Sequence, residues 1–259
     1  MKQKVSVIKI GGSLIEDEKV LDSFLKGFAA IEGHKILVHG GGKLATELAS
    51  RLGIETKMTN GRRITDKASL EVITMVYGGL VNKSIVAKLQ SFHCNAIGLS
   101  GADANSIASI KRPVREIDYG FVGDVEKVSP EIISLFLTHG ITPVFCALTH
   151  DQNGRLLNTN ADTIASEVAI ALSKAFETHL YFCFEKAGVL KNVEDENSVI
   201  EHINSKSYEN LLAEGIISDG MLPKLHNCFQ ALKKNVSKVC IGNIKMISDQ
   251  HQKYTTITL

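Results

Sequence analysis

Apolar residues along this chain fall into two rhythms. Short runs at 5–10, 35–39, 95–99, 141–148, 179–184 and 238–241 are crowded with Val, Ile, Leu, Phe and Cys. That is the pattern of strands buried on both faces of a parallel sheet. Longer segments with helical spacing lie between them. Residues 17–31 carry Val20, Leu21, Phe24, Leu25 and Phe28 along one face, and 43–52 reads as a shorter helix. The longest helix is expected over 66–92, with Thr65 as its N-cap and Leu70, Ile73, Val76, Leu80, Ile85 and Leu89 on its apolar side. Ser129 followed by Pro130 opens a helix over 130–138, and helices over 161–175 and 222–234 complete the set. Strands alternating with helices predict an α/β fold with a mainly parallel sheet. The segment 106–128 breaks the rhythm. Its β-type patches at 107–110 and 121–125, set around turn residues, predict a hairpin over the sheet.

Charge and composition mainly exclude. The 259 residues hold 29 Lys and Arg against 28 Asp and Glu, a net charge of +1. A nucleic-acid binder relying on bulk positive charge is ruled out by that balance. No uninterrupted apolar stretch reaches the roughly 20 residues of a membrane span. The N-terminal apolar run alternates with polar residues and ends at Gly11-Gly12, so it reads as a strand rather than a signal peptide. Neither a nucleic acid nor a membrane is an expected partner. The five cysteines show no CxxC or Cys/His metal spacing and read as buried thiols of a cytoplasmic protein with no metal site of its own.

The 21 glycines carry more information. Gly11-Gly12 ends the first strand, and Gly40-Gly41-Gly42 ends the second and opens a helix. Ligands of open α/β sheets bind at the carboxyl ends of strands. Glycine lets a backbone approach a ligand closely, and the N–H groups of a helix start attract anions. Two such loops point to a phosphorylated or carboxylated ligand. Neither the G-x-G-x-x-G nor the G-x-x-x-x-G-K-[ST] pattern is present, so a dinucleotide fingerprint and a P-loop are both excluded. Lys9, inside a strand of Val and Ile, needs a partner for its ammonium, and an anionic ligand beside the first glycine loop supplies one. Asn158, Asn160 and Asp162 cluster before a helix, where Asn160 also suits the cap. Lys224 stands in the first turn of another helix, the end of the dipole that disfavours a cation, so an anion is expected close to it.

Taken together, the stretches 9–13, 38–42, 60–66, 98–101, 120–124, 157–162 and 216–224 resemble the amino-acid kinase family. The resemblance lies with the branch that phosphorylates N-acylglutamates and runs in order through nearly the whole chain. It implies a three-layer αβα sandwich with a central, mainly parallel sheet, in one domain of two lobes. An acyl-amino-acid-binding lobe with the dimer interface spans about 1–150, and an ATP-binding lobe spans 151–259. It implies transfer of the γ-phosphoryl of ATP, as its Mg complex, to the side-chain carboxylate of N-acetyl-L-glutamate. The metal is carried mainly by the nucleotide.

The resemblance assigns Lys9 and Lys224 to the transferring phosphoryl group and Asp162 to orienting both. Gly41, Gly42, Arg63, Asn158 and Asn160 fall at substrate-binding positions, and Gly11, Gly12, Glu185, Gly188, Ile217 and Ser218 at nucleotide-binding ones. Phosphoryl transfer asks mainly for alignment and positive charge, and a carboxylate nucleophile is already ionised near pH 7.

Three departures from the family pattern stand out. A small Ser/Thr-Asp-Val stretch is replaced by Phe184-Glu185-Lys186-Ala187-Gly188, with Glu185 standing in for the Asp. Arg62 sits beside Arg63 where the family has Leu, which opens a succinyl group in place of acetyl as an alternative. Arginine-inhibited members carry an added N-terminal helix before the first strand, and its lack here implies a homodimer without arginine feedback, paired through the 66–92 helix. Kinases of free glutamate, aspartate or carbamate, and a non-catalytic ligand sensor, are the other readings. Arg63 with Asn158 favours an acylated substrate, and the three charged residues together disfavour the sensor.

Overall fold

Each of the apolar runs forms a strand in the computed structural model, which describes residues 2–59, 61–217, 221–248 and 251–259, with Ser13, Pro223 and Ser248 described by backbone alone. By its contacts the chain groups into two units. One combines the segment up to Ile36 with the segment from Ala165 onward, and the other is Leu37–Ile164. The sequence reading placed one boundary near residue 150. The grouping differs because strand β1 (Lys4–Ile10) pairs in parallel with β11 (Glu177–Cys183) along its whole length, from Lys4 opposite Glu177 to Ile10 opposite Cys183.

In the first unit β11 also pairs in parallel with β13 (Lys238–Gly242). Beyond β13 the short strands β14 (Thr255–Ile257) and β12 (His202–Ile203) finish the edge, β14 running antiparallel to β13. Helix α1 (Gly12–Glu16) leads into α2 (Glu18–Ala29), whose Leu21, Phe24, Leu25 and Phe28 are buried as their spacing predicts. Asp17 caps α2 by accepting from the N–H groups of Lys19 and Val20. The Lys35 ammonium donates to the carbonyls of Ala29 and Ile31 just past the other end, a favourable place for a cation. Helices α8 (Ser205–Ala213), α9 (Leu222–Lys233) and α10 (Lys245–Ser248) belong to this unit as well.

In the second unit β2 (His34–His39), which begins just before its boundary, pairs in parallel with β8 (Thr142–Cys146), and β8 with β5 (Ala96–Leu99). The expected hairpin is β6 (Ile107–Lys111) with β7 (Gly123–Val128), antiparallel with a bulge. It extends further than predicted, joining β9 (Leu148–His150) and β10 (Leu156–Asn158) in a four-stranded sheet. A second hairpin, β3 (Lys57–Thr59) with β4 (Arg62–Ile64), follows helix α3 (Gly42–Arg51). Helix α6 (Pro130–Thr138) lies where its proline places it. Helix α7 (Ala161–Leu172) begins in this unit and continues into the other.

The long helix departs from its expected form. It runs as α4 (Lys67–Ile73), a π-helical stretch Thr74–Val81 and α5 (Asn82–Ser91). Asp66 rather than Thr65 is its N-cap, accepting from the Ser69 N–H at 2.8 Å. Leu80, expected on the apolar face, is 61% exposed, and Val81 is buried in its place. The i→i+5 bonding of a π-turn adds a residue to the repeat, so burial steps from Val76 to Val81. Lys67–Ser91 also contains a window of mean hydropathy 1.3, enough in length and composition to cross a membrane. Counting uninterrupted apolar residues misses this because the window tolerates Thr, Gly and Tyr. Buried Asn82, hydrogen-bonded to the Val144 carbonyl of β8, identifies the stretch as a core helix of its unit.

Candidate active site

In the second unit the site is organised by the end of β2. The chain leaves His39, turns through Gly40 and Gly41 and enters α3 at Gly42, with Gly41 at the N-cap position offering no side-chain acceptor. Gly41 has φ +156°, and a Cβ there would meet the Tyr77 ring at 3.0 Å. Two constraints, backbone and packing, therefore select glycine at this position. The first N–H groups of α3 have no intrahelical acceptor, which makes the turn a seat for an anion.

Arg63, on β4, reaches this turn. Its Nη2 donates to the Gly42 carbonyl at 2.8 Å and to Thr46 Oγ1 at 2.7 Å, while Nη1 donates to Thr56 Oγ1 at 3.0 Å. The guanidinium is thereby held at the first turn of α3, three of its five N–H groups taken by these acceptors, with its positive charge fixed beside the turn. Arg62 is exposed, and strand alternation turns it to the opposite face of the hairpin. It does not join Arg63.

Asn158, the last residue of β10, donates from Nδ2 to Thr65 Oγ1 at 3.0 Å. Thr65 is fully buried and also binds the chain on either side of Gly120, taking the Tyr119 carbonyl on its N–H and giving its own carbonyl to the Phe121 N–H. Sequence reasoning gave Thr65 a capping role and missed this one. The signal was a threonine followed by Asp66, a better cap. Asn160 is exposed, and its Oδ1 accepts from the Thr163 N–H at 3.1 Å, so it caps α7. Asp162 follows in the first turn of α7, half-buried, its Oδ1 buried without a hydrogen bond.

In the first unit Phe182 relates to both lysines, to Lys9 through strand register and to Lys224 through a ring contact from α9. Lys9, half-buried on β1, is the register partner of Phe182 on β11. The Lys224 ammonium, from the first turn of α9, stands 5.3 Å from the centre of the same ring. A cation over a ring face is attracted by its quadrupole, so Phe182 helps to place Lys224. Phe182 read only as a core residue in the sequence. The Lys9 charge pulls the Cys183 thiol down, but burial outweighs it and pushes the thiol up overall.

Gly11, whose N–H donates to the Cys183 carbonyl at 3.1 Å, caps α1 without a side chain, and the space beside Gly12 is open. Glu185 is exposed and Ile217 buried. Gly188 is explained by packing, since a Cβ there would lie 2.7 Å from Thr255 Oγ1 and 2.8 Å from Val199. Ser218 lies outside the described residues, as do its neighbours 219 and 220.

The model of the amino acid kinase family matches residues 4–243. An acetylglutamate kinase of Bacteroides fragilis is 57% identical over 241 residues, covering 93% of this chain and 92% of its own. Among solved structures, N-acetylglutamate synthase from Neisseria gonorrhoeae with coenzyme A and N-acetyl-glutamate aligns with a TM-score of 0.82 at 18% identity, over 99% of this chain and 59% of that one. Carbamate kinase from Giardia lamblia bound to AMP-PNP aligns with a TM-score of 0.69 at 13% identity, over 99% and 98%. At such identities these two speak for the fold.

Proposed function

The chain belongs to the amino acid kinase family, and on that premise we propose that it phosphorylates N-acetyl-L-glutamate with ATP, the second step of arginine biosynthesis. A side-chain carboxylate oxygen of the substrate attacks the γ-phosphorus. The bond from that phosphorus to the β–γ bridging oxygen breaks, and ADP leaves with the electron pair. The product is an acyl phosphate.

The observation that carries this reading is the Arg63 fork held at the uncapped first turn of α3. It supplies a fixed guanidinium charge and backbone N–H groups together, suited to a carboxylate-bearing substrate. Asn158 adds an amide on the same side of the chemistry. In the other unit, Lys9 and Lys224 neutralise charge on the transferring phosphoryl group, and Gly11 and Gly12 leave backbone room for the nucleotide's phosphates. Such charge placement is most of what phosphoryl transfer requires. Asp162, in the first turn of α7, is the carboxylate to which the family resemblance gives the orienting role. Glu185, Gly188, Ile217 and Ser218 are the proposed nucleotide-side positions.

Magnesium, carried with ATP, would offset charge on the phosphates. Among the described residues no group of three or more His, Cys, Asp or Glu side chains is placed to hold a metal. Acetyl is the acyl group in the name of the 57% identical relative, and exposed Arg62 offers no separate observation in favour of succinyl. The proposed setting is the cytoplasm, in keeping with five free thiols. The proposed assembly is a homodimer through Lys67–Ser91, where Met75 and Leu80 stand 52% and 61% exposed.

The test is ADP release with N-acetylglutamate, N-succinylglutamate, glutamate, aspartate and carbamate, with hydroxylamine trapping of the acyl phosphate. Turnover confined to N-acetylglutamate is the expected result. A preference for the succinyl compound corrects the acyl group, and turnover on none of the panel rejects the activity.

A further inference from the structure

The glycine loop at the end of β2 is held from behind by hydrogen bonds that none of the roles above uses. His39 is wholly buried. Its Nδ1 lies 2.8 Å from the Gly40 carbonyl oxygen, and its Nε2 lies 3.0 Å from Asn82 Nδ2. Asn82, also buried, donates from Nδ2 to the Val144 carbonyl at 2.9 Å. The Lys83 ammonium donates to Asn82 Oδ1 at 3.2 Å and to the Gly98 carbonyl at 3.1 Å.

Donors and acceptors leave one self-consistent arrangement. A carbonyl only accepts and an ammonium only donates, so the Asn82 amide can face just one way. Its second N–H then points at His39 Nε2, which has to be an acceptor. The ring proton consequently sits on Nδ1 and is donated to the Gly40 carbonyl. That carbonyl shares a planar trans peptide with the Gly41 N–H. Pinning the oxygen on one side aims the N–H to the other.

We propose that Lys83, Asn82 and His39 form a relay that fixes the Gly40–Gly41 peptide, making His39 and Asn82 positioning residues for the acyl amino acid. The proposal rests on the reading that Gly41 and Gly42 bind that substrate. Two further features fit it. A Cβ at Gly98 would overlap Asn82 Oδ1, so the glycine there preserves room for the relay. The π-helical stretch also aligns Tyr77 with Asn82. In an α-helix, residues five apart sit about 140° around the axis from each other, whereas a π-turn stacks them. Tyr77 can therefore pack on Gly41 while Asn82 reaches His39, so one helix braces the loop at two points.

Nitrogen-15 NMR of the imidazoles in the full-length chain at pH 7 reads the tautomer directly. His39 protonated at Nδ1 and bare at Nε2 is the expected result, and protonation at Nε2 overturns the relay. Kinetics test the positioning role. His39→Asn keeps an N–H close to the Nδ1 position, and His39→Leu does not. The Leu variant is expected to raise KM for N-acetylglutamate about tenfold, the scale of one lost hydrogen bond, with KM for ATP within about twofold of the parent. The Asn variant is expected to recover most of the loss. Equal losses in both variants, equal rises for both substrates, or no rise in the Leu variant overturn the proposal. If the variants fail to fold, the tautomer measurement decides. Absence of turnover by the unmodified protein refutes the proposed activity instead, while the imidazole signal still decides the relay.

Discussion

Lowering the pH from 7 to 5 sets the folded and unfolded chains apart at His39. In the folded chain burial, aided by the nearby Lys83 charge, lowers its pKa from 6.5 to about 4, and the hydrogen bond to Gly40 opposes this only in part. Above pH 6.5 both states are neutral at this residue, and folding gains or loses nothing. Below 6.5 the unfolded chain binds a proton that the folded chain refuses until about pH 4. The stability is therefore full above pH 6.5 and drains away as the pH falls toward 4. At pH 5 the loss comes to roughly 2 kcal/mol, from 1.36 kcal/mol for each pH unit below 6.5. That is a large share of the ~5–15 kcal/mol that holds a domain together.

Other groups contribute little in this window or can be separated out. The Cys146 thiol, register partner of His39, is pushed up to about 12 and stays neutral. Asp66 and Asp151, whose backbone hydrogen bonds hold their carboxyls below 3.8, act at lower pH. His179 is also lowered by burial and adds to the loss in the same direction. Urea unfolding at pH 7 and pH 5, on the parent and on His39→Leu, isolates the His39 share as a difference of differences. The parent should lose about 2 kcal/mol more than the variant. Equal losses, to within about 0.5 kcal/mol, would refute the account of a neutral, buried His39.

Three further outcomes follow from the site. Lys224→Ala should lower kcat by about 10²–10³, the usual cost of one preorganised donor, with both KM values little changed; a kcat within about twofold of the parent removes Lys224 from the chemistry. Arg63→Lys replaces a fork with a point charge and should raise KM for N-acetylglutamate about tenfold in steady-state assays, leaving KM for ATP unchanged. Gly120→Ala should cost about 3 kcal/mol in urea unfolding. Its φ is +71° and a Cβ would overlap the Thr65 carbonyl, so strain of ~1–2 kcal/mol adds to hydrogen bonds lost at Thr65, each about 1 kcal/mol.

Much of the fold was legible because burial on both faces leaves an unmistakable strand signature. The runs at 5–10, 35–39 and 238–241 became β1, β2 and β13 with small shifts at their ends. The short strands were not legible. Lys57–Thr59 and Arg62–Ile64 have three residues each, mostly polar, and their pairing is a tertiary fact. The glycine loops stood out by type and spacing, whereas Arg63 was assigned only by the family resemblance. Phe182 could be found neither way. Its place opposite Lys9 depends on a register between β1 and β11 that spans more than 170 residues of sequence, and its place under Lys224 on the packing of α9.

The long helix shows where a correct element still misleads. A 3.6-residue period fits Leu70, Ile73, Val76 and Leu80, and a helix is indeed there. Yet the buried set runs Val72, Ile73, Val76, Tyr77, Val81, Asn82, Ile85 and Leu89, a phase that slips by one residue between 77 and 81. The apolar spacing contains a step of five but leaves its position open, because Leu80 and Val81 are both apolar and adjacent. Asn82 could have revealed it. An asparagine on the buried phase costs free energy unless its amide is satisfied, whereas on the α-helical phase set by Leu80 it would simply face solvent. The π-turn is what turns it inward, and the buried imidazole of His39 is the partner that makes the inward phase the stable one. A polar residue out of step with an apolar stripe is thus a signal for a helix whose register serves a neighbouring site.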